Sequence, residues 1–259
     1  MTAIHYQRQG EGRPLLLLHA TLSSSRQLRS LASLLSRRFS VLSVDRRGSG
    51  QSAGEGPASP IDVATHVADL LALCEAERIG SLVAVGHSYG GCLALELAAR
   101  QPHLVQAVFA YEPPYAPLAP APARRHMEQV GRRTLEINAS EGPAAAALAF
   151  MAGVSGPEAV AALSPGARER VGSAGQGAVA DATLLGMDPD GLAAIACPTR
   201  IASGAASDPL YAQIAEALVG RISGATHVRL ADVDHMAPIL APDIVASAVA
   251  TFTAAIERA

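Results

Sequence analysis

Residues 86–90 read Gly-His-Ser-Tyr-Gly, a G-x-S-x-G pattern that lifts one serine hydroxyl, that of Ser88, out of a tight turn. A serine hydroxyl is a poor nucleophile until a neighbouring base takes its proton. The base in turn needs a carboxylate to hold its tautomer and stabilise its charged form. Of the eight histidines, His235 alone lies between the last predicted strand and a C-terminal helix. His87 touches the motif, but it precedes Ser88 on the strand side and should point away from the hydroxyl. The chemistry this composition offers is acyl transfer by an activated serine.

The elements around Ser88 must supply that geometry. Leu82–Val85 is a short apolar run that reads as a strand buried on both faces. Gly86, Gly90 and Gly91 bracket the serine, and the run to Arg100 has helical spacing. A helix starting there aims its positive end and free N–H groups at a developing negative charge. Further strands are predicted at residues 4–9, 14–19, 39–44, 105–110, 199–203 and 228–231, and helices at 23–38, 60–78, 211–219 and 242–256. This alternation is that of an α/β protein with a parallel sheet. From about Pro114 to Gly191 the composition shifts to Pro, Ala and Gly, with helical stretches at 123–139, 142–151 and 157–163 and no strand-like alternation. The chain therefore divides into a first core part (1–113), a helical insertion (114–191) and a second core part (192–259).

Composition narrows the function. A hydrophobic content of 49% over 259 residues supports one large core, and a net charge of −3 argues against a nucleic-acid surface. No run of 18 apolar residues and no apolar leader is seen, so a soluble protein without a membrane partner is expected. Cys74, Cys92 and Cys197 lack pairing spacing and read as buried free thiols of a reducing cytoplasm. Every basic side chain is Arg, which excludes lysine Schiff-base chemistry. His66 has no second ligand at i+4 and reads as a surface histidine, and Arg124, Arg125, Arg132 and Arg133 read as a solvated helix face.

The elbow, the His19-Ala20-Thr21 tripeptide after the second strand and the Asp45-Arg46-Arg47-Gly48-Ser49-Gly50-Gln51-Ser52 loop together resemble the α/β-hydrolase superfamily, in its serine-nucleophile, capped, esterase-like branch. The resemblance implies a mostly parallel sheet of seven strands, lacking the family's first strand, with 114–191 as a helical cap. It implies a triad in the order serine, acid, histidine: Ser88, Asp208 and His235. Some members place the acid one core strand earlier, where Glu112 stands as the rival. The oxyanion hole falls to the amides of Thr21 and Tyr89, with Ala20 where the family usually has glycine, so that loop must avoid a positive φ there. Asp45–Ser52 reads as a structural loop.

The implied activity is hydrolysis of a carboxylic ester or lactone of a small to medium substrate through an acyl-enzyme, with no metal or cofactor. A carbon–carbon bond hydrolase, a thioesterase, a cofactor-free perhydrolase and a triad-bearing ligand-binding receptor remain alternatives. Serine at position 88 argues against the dehalogenases and epoxide hydrolases of this fold, which use Asp there. The expected partner is a small molecule, and the oligomeric state is left open.

Overall fold

The computed structural model describes residues 4–54, 60–183 and 187–256. Each segment expected to be a strand forms one: β1 (Tyr6–Gln9), β2 (Arg13–Leu18), β3 (Phe39–Val44), β4 (Leu82–His87), β5 (Val105–Tyr111), β6 (Thr199–Gly204) and β7 (Thr226–Leu230). They form a seven-stranded sheet in the order β1-β3-β2-β4-β5-β6-β7. Only β1 runs antiparallel, at the edge against β3. This is the mostly parallel seven-stranded sheet expected from the sequence.

Because side chains alternate across a strand, each buried strand feeds two cores. Leu16 and Leu18 of β2 join Leu42, Ala84, Val108 and Ile201 on one face, under α2 (Val63–Ala76), α3 (Tyr89–Arg100) and α9 (Pro209–Val219). Leu15 and Leu17 join Val41, Val83, Phe109 and Ala202 on the other, under α1 (Arg29–Leu35) and α11 (Pro242–Ile256), the latter preceded by the one-turn α10 (Ala237–Leu240). Continuous apolar strands are what a sheet covered on both faces demands.

Between β5 and β6 lies a helical insertion of α4 (Ala121–Glu141), α5 (Pro143–Ser155), α6 (Pro157–Ala161), α7 (Pro165–Gly172) and α8 (Gly175–Ala180). Pro at the first turn of α4 to α7 sets φ for helix entry where the missing N–H costs nothing. A small core of Val130, Ala147, Phe150 and Ala178 holds these helices together.

Helix α1 is much shorter than the 23–38 predicted. Ser24, Ser25 and Arg26 carbonyls instead accept i+3 bonds, and the Gln27 side chain accepts from the Ser24 amide at 2.7 Å. The Ser25 amide donates to Asp45 Oδ1 at 2.7 Å. Serines compete with the helix ladder in this way, so a serine-rich start becomes a string of turns. Helix α2 likewise begins at Val63, where Asp62 caps it by accepting from the Thr65 amide at 2.7 Å.

Candidate active site

Strand β4 hands its last residue to a turn too tight for ordinary backbone. Ser88 has φ 55° and ψ −122°, a region that costs about 1–3 kcal/mol for a residue with a side chain. Gly86 and Gly90 make the turn possible. A Cβ on Gly86 would run into the Gly90 carbonyl, and one on Gly90 into the Leu18 and His19 carbonyls. The Ser88 amide donates to the Tyr111 carbonyl at 2.8 Å, and its own carbonyl accepts from Gly91 and Cys92 as α3 begins.

His87 and Tyr111 are register partners in the parallel β4–β5 pair, so Ser88 and Glu112 are the next residues on neighbouring strands. Glu112 also has a positive φ, 47°, and its side chain is fully buried. Its Oε2 accepts from His235 Nδ1 at 2.7 Å and its Oε1 from the Gly204 amide at 2.7 Å. Two bonds on two oxygens fix the carboxylate plane and the imidazole tautomer together. With Nδ1 so engaged, Nε2 of His235 is the nitrogen left for exchange with a reacting group.

The loop after β7 turns through Asp232, with φ 55°, to deliver His235. Three contacts hold it. His87 Nε2 donates to the His235 carbonyl at 2.8 Å, and Tyr111 Oη donates to the Asp234 carbonyl at 2.6 Å. The Tyr211 ring stacks on the imidazole at 4.7 Å between centroids and 13° between planes. Burial, and then the neighbouring His235, push His87 well below the usual histidine range, so His87 stays neutral and serves as the donor the carbonyl needs.

The second loop at the site follows β2. His19 Nδ1 donates to the Ala20 carbonyl at 2.7 Å, and its Nε2 accepts from the Arg46 amide at 3.1 Å. Burial and the Arg46 cation push His19 down to about 3, so it is neutral and holds a single tautomer. Positive φ falls on Leu22, at 57°, and not on Ala20. An alanine is therefore tolerated where the family usually carries glycine. The contact of Gly90 with the Leu18 and His19 carbonyls brings this loop against the first turn of α3, whose leading amides have no partner within the helix.

A family model described as "Alpha/beta hydrolase family" matches residues 15–248. The chain belongs to the alpha/beta hydrolase family. An sn-1-specific diacylglycerol lipase of Danio rerio is 36% identical over 39% of this chain and 32% of its own length. An epoxide hydrolase of Caballeronia sordidicola is 29% identical over 51% of this chain and 40% of its own length. These matches thus span well under half of either relative. Among solved structures, a thermophilic esterase from Thermogutta terrifontis superposes with a TM-score of 0.77 at 21% identity, over 98% of this chain and 93% of that one, a likeness of fold.

In this family member the acid expected at 208 is not beside the histidine. Asp208 is exposed, and its Oδ1 accepts from the Leu210 amide at 2.8 Å as the cap of α9. The carboxylate bonded to His235 is that of Glu112, the rival named from sequence. Ser88 lies on the turn after β4, Tyr89 opens α3, Thr21 lies in the turn after β2 and His235 in the loop after β7. Tyr211, one turn beyond Asp208, is the contact of α9 with the site that sequence reasoning missed.

A second buried cluster was also missed. Arg46 Nη1 and Nη2 each donate to Asp181 at 2.7 Å, both side chains being essentially inaccessible. Burial alone would raise Asp181, but Arg46 and its hydrogen bonds outweigh it and hold the carboxyl below the usual range. His66, expected on the surface, is buried at 2% exposure with its Nε2 3.6 Å from Asp181. Burial first and Arg46 next push it down to about 4, so it too is neutral.

Asp45 accepts from the Ser25 and Gln51 amides and approaches His5 at 3.2 Å, in keeping with a structural loop. Arg125, Arg132 and Arg133 are exposed on α4, whereas Arg124, expected on the same solvated face, is half-buried beside Glu128. Among the described residues, no three metal-ligating side chains converge. The insertion carries a cavity of about 90 Å³ lined by Met127, Gly131, Leu135 and Ala182 together with the polar Glu128, Arg132 and Thr183.

Proposed function

We propose that this hydrolase is a serine esterase or lactonase that cleaves a small to medium substrate through an acyl-enzyme. The observation that carries the reading is the Glu112–His235 pair anchored beside the strained turn of Ser88. His235 takes the Ser88 proton on Nε2, and the hydroxyl oxygen attacks the substrate carbonyl. The Thr21 and Tyr89 amides receive the oxyanion. The imidazolium, held by Glu112, then protonates the leaving alcohol as the carbon–oxygen bond breaks. Water, deprotonated by the same imidazole, releases the acid and restores Ser88.

Epoxide hydrolases are among the relatives, yet a serine at the elbow lacks the carboxylate nucleophile those enzymes use, which favours the acyl route. The insertion at 114–191 serves as the cap over the site. Its helices are rich in Ala, Leu and Met and contain no Trp, which suits aliphatic better than polycyclic aromatic groups. The substrate is a small molecule, and the free thiols Cys74, Cys92 and Cys197 fit a reducing, cytoplasmic setting.

Short p-nitrophenyl esters and lactones test the reading. Turnover should exceed that of Ser88→Ala by several orders of magnitude, and a fluorophosphonate should label Ser88 once. Equal turnover by the two proteins would sink it.

A further inference from the structure

The helical insertion reaches the loop that carries Thr21 through one carboxylate. Asp181 directly follows α8, and its Oδ2 accepts both from Arg46 Nη2 at 2.7 Å and from Thr21 Oγ1 at 2.8 Å. Arg46 in turn donates from Nε to the His19 carbonyl and from Nη2 to the Ala20 carbonyl, each at 3.3 Å. Its guanidinium also lies over the Tyr89 ring, 4.9 Å from the centroid. One buried ion pair therefore touches residues 19, 20 and 21 on one loop and residue 89 at the start of α3. Such a pair adds little stability over an apolar replacement, because desolvation offsets its attraction. What it does supply is a fixed geometry for the groups hydrogen-bonded to it.

We propose that Asp181 and Arg46 are positioning residues that set the Thr21 amide, so that docking of the insertion onto the core completes the oxyanion hole. The proposal rests on the serine-hydrolase reading above. Oxyanion donors act on charge that exists only in the transition state. Loosening Thr21 therefore lowers kcat and the rate of phosphonylation, and leaves KM nearly unchanged.

Thr21→Val deletes the hydroxyl donor, keeps the amide and leaves the Arg46–Asp181 pair intact, whereas Thr21→Ser retains the donor. The rate constant for fluorophosphonate labelling of Ser88, the kcat and KM for a p-nitrophenyl ester, and the Tm are measured for each. Thr21→Val should label about 10-fold more slowly, below the roughly 10²–10³-fold cost of losing a donor outright. Its KM should stay within about 2-fold, as expected when only transition-state binding is lost, and Thr21→Ser, which keeps the hydroxyl donor, should recover most of the labelling rate lost in Thr21→Val. Asp181→Asn should also slow labelling, and adding Thr21→Val to it should cost little more, since both act through one contact. Labelling of Thr21→Val at the wild-type rate, or an equal loss in Thr21→Ser, overturns the proposal while leaving the serine mechanism standing. Wild-type protein that resists labelling at Ser88 overturns that mechanism, and the proposal with it.

Discussion

Strands β5 and β6 are neighbours in the sheet, and each delivers a carboxylate just beyond its C-terminal end, Glu112 after the one and Asp208 after the other. The two have opposite fates. Glu112 departs its strand at once, with φ 47°, and is fully buried with both oxygens bonded, one of them to His235. Asp208 departs four residues later, with φ −52°, and spends its side chain on the free amide of a helix start in solvent. Position at the end of a strand is thus not enough to make an acid partner for histidine. The carboxylate must also be taken out of water, where its attraction for an imidazolium is no longer screened away.

The largest test of this contrast is Glu112→Gln. It keeps the shape but removes the charge and the preference for one imidazole tautomer, and should lower kcat by about 10³–10⁴. Steady-state assays of a folded variant decide it; near-normal kcat would return the role to another acid.

The contrast between buried and exposed groups extends to histidines. His19 and His66, pushed down to about 3 and about 4, stay neutral when folded but titrate near 6.5 once unfolded. The unfolded chain therefore binds more protons below pH 6.5, and stability is full above that value and is lost as pH falls towards 4. Each histidine should contribute a slope approaching 1.4 kcal/mol per pH unit, or about 2–3 kcal/mol in all between pH 6 and 5. Urea midpoints across this range measure it, and a flat profile would contradict buried neutral histidines.

A smaller effect is expected at Tyr211, the contact of α9 with His235. Tyr211→Leu removes a stacked ring worth about 0.5–1.5 kcal/mol, so kcat/KM should fall by about 2- to 12-fold. Tyr211→Phe should retain most of it, and equal losses in the two would transfer the effect to the hydroxyl. Asp208→Ala should move activity least, within about 2-fold, while costing about 1 kcal/mol of stability through the lost cap. A kcat drop comparable to that of Glu112→Gln would erase the distinction between the two strand ends.

Ser88 and His235 were legible because local rules surround them: an apolar strand, bracketing glycines, and a last strand followed by a helix. The choice between Glu112 and Asp208 was not, since both are carboxylates after buried strands. What separates them is the backbone direction at 112 and the Gly204 amide, 92 residues away in sequence. The insertion was read as helical, yet α7 and α8 were not individually seen. Both are short, half of their residues are Gly or Ala, and α8 sits where a Cβ on Gly175 would strike the Pro143 carbonyl, a close approach no periodicity encodes. Asp181 was invisible for the same kind of reason. Its partner Arg46 is 135 residues distant, inside a loop whose pattern speaks only of turns.

That ion pair sets a condition on rebuilding this protein by recombination. An insertion borrowed from a relative and spliced between β5 and β6 would leave Arg46 sealed in the core without a counter-charge, unless the donor also brings an acidic side chain to the same spot. Stranding a buried charge costs about 3–5 kcal/mol, a large share of the stability of an ordinary domain. Chimeras that swap the insertion should therefore express as folded protein only when residues 46 and 181 travel together, or are both replaced by apolar side chains.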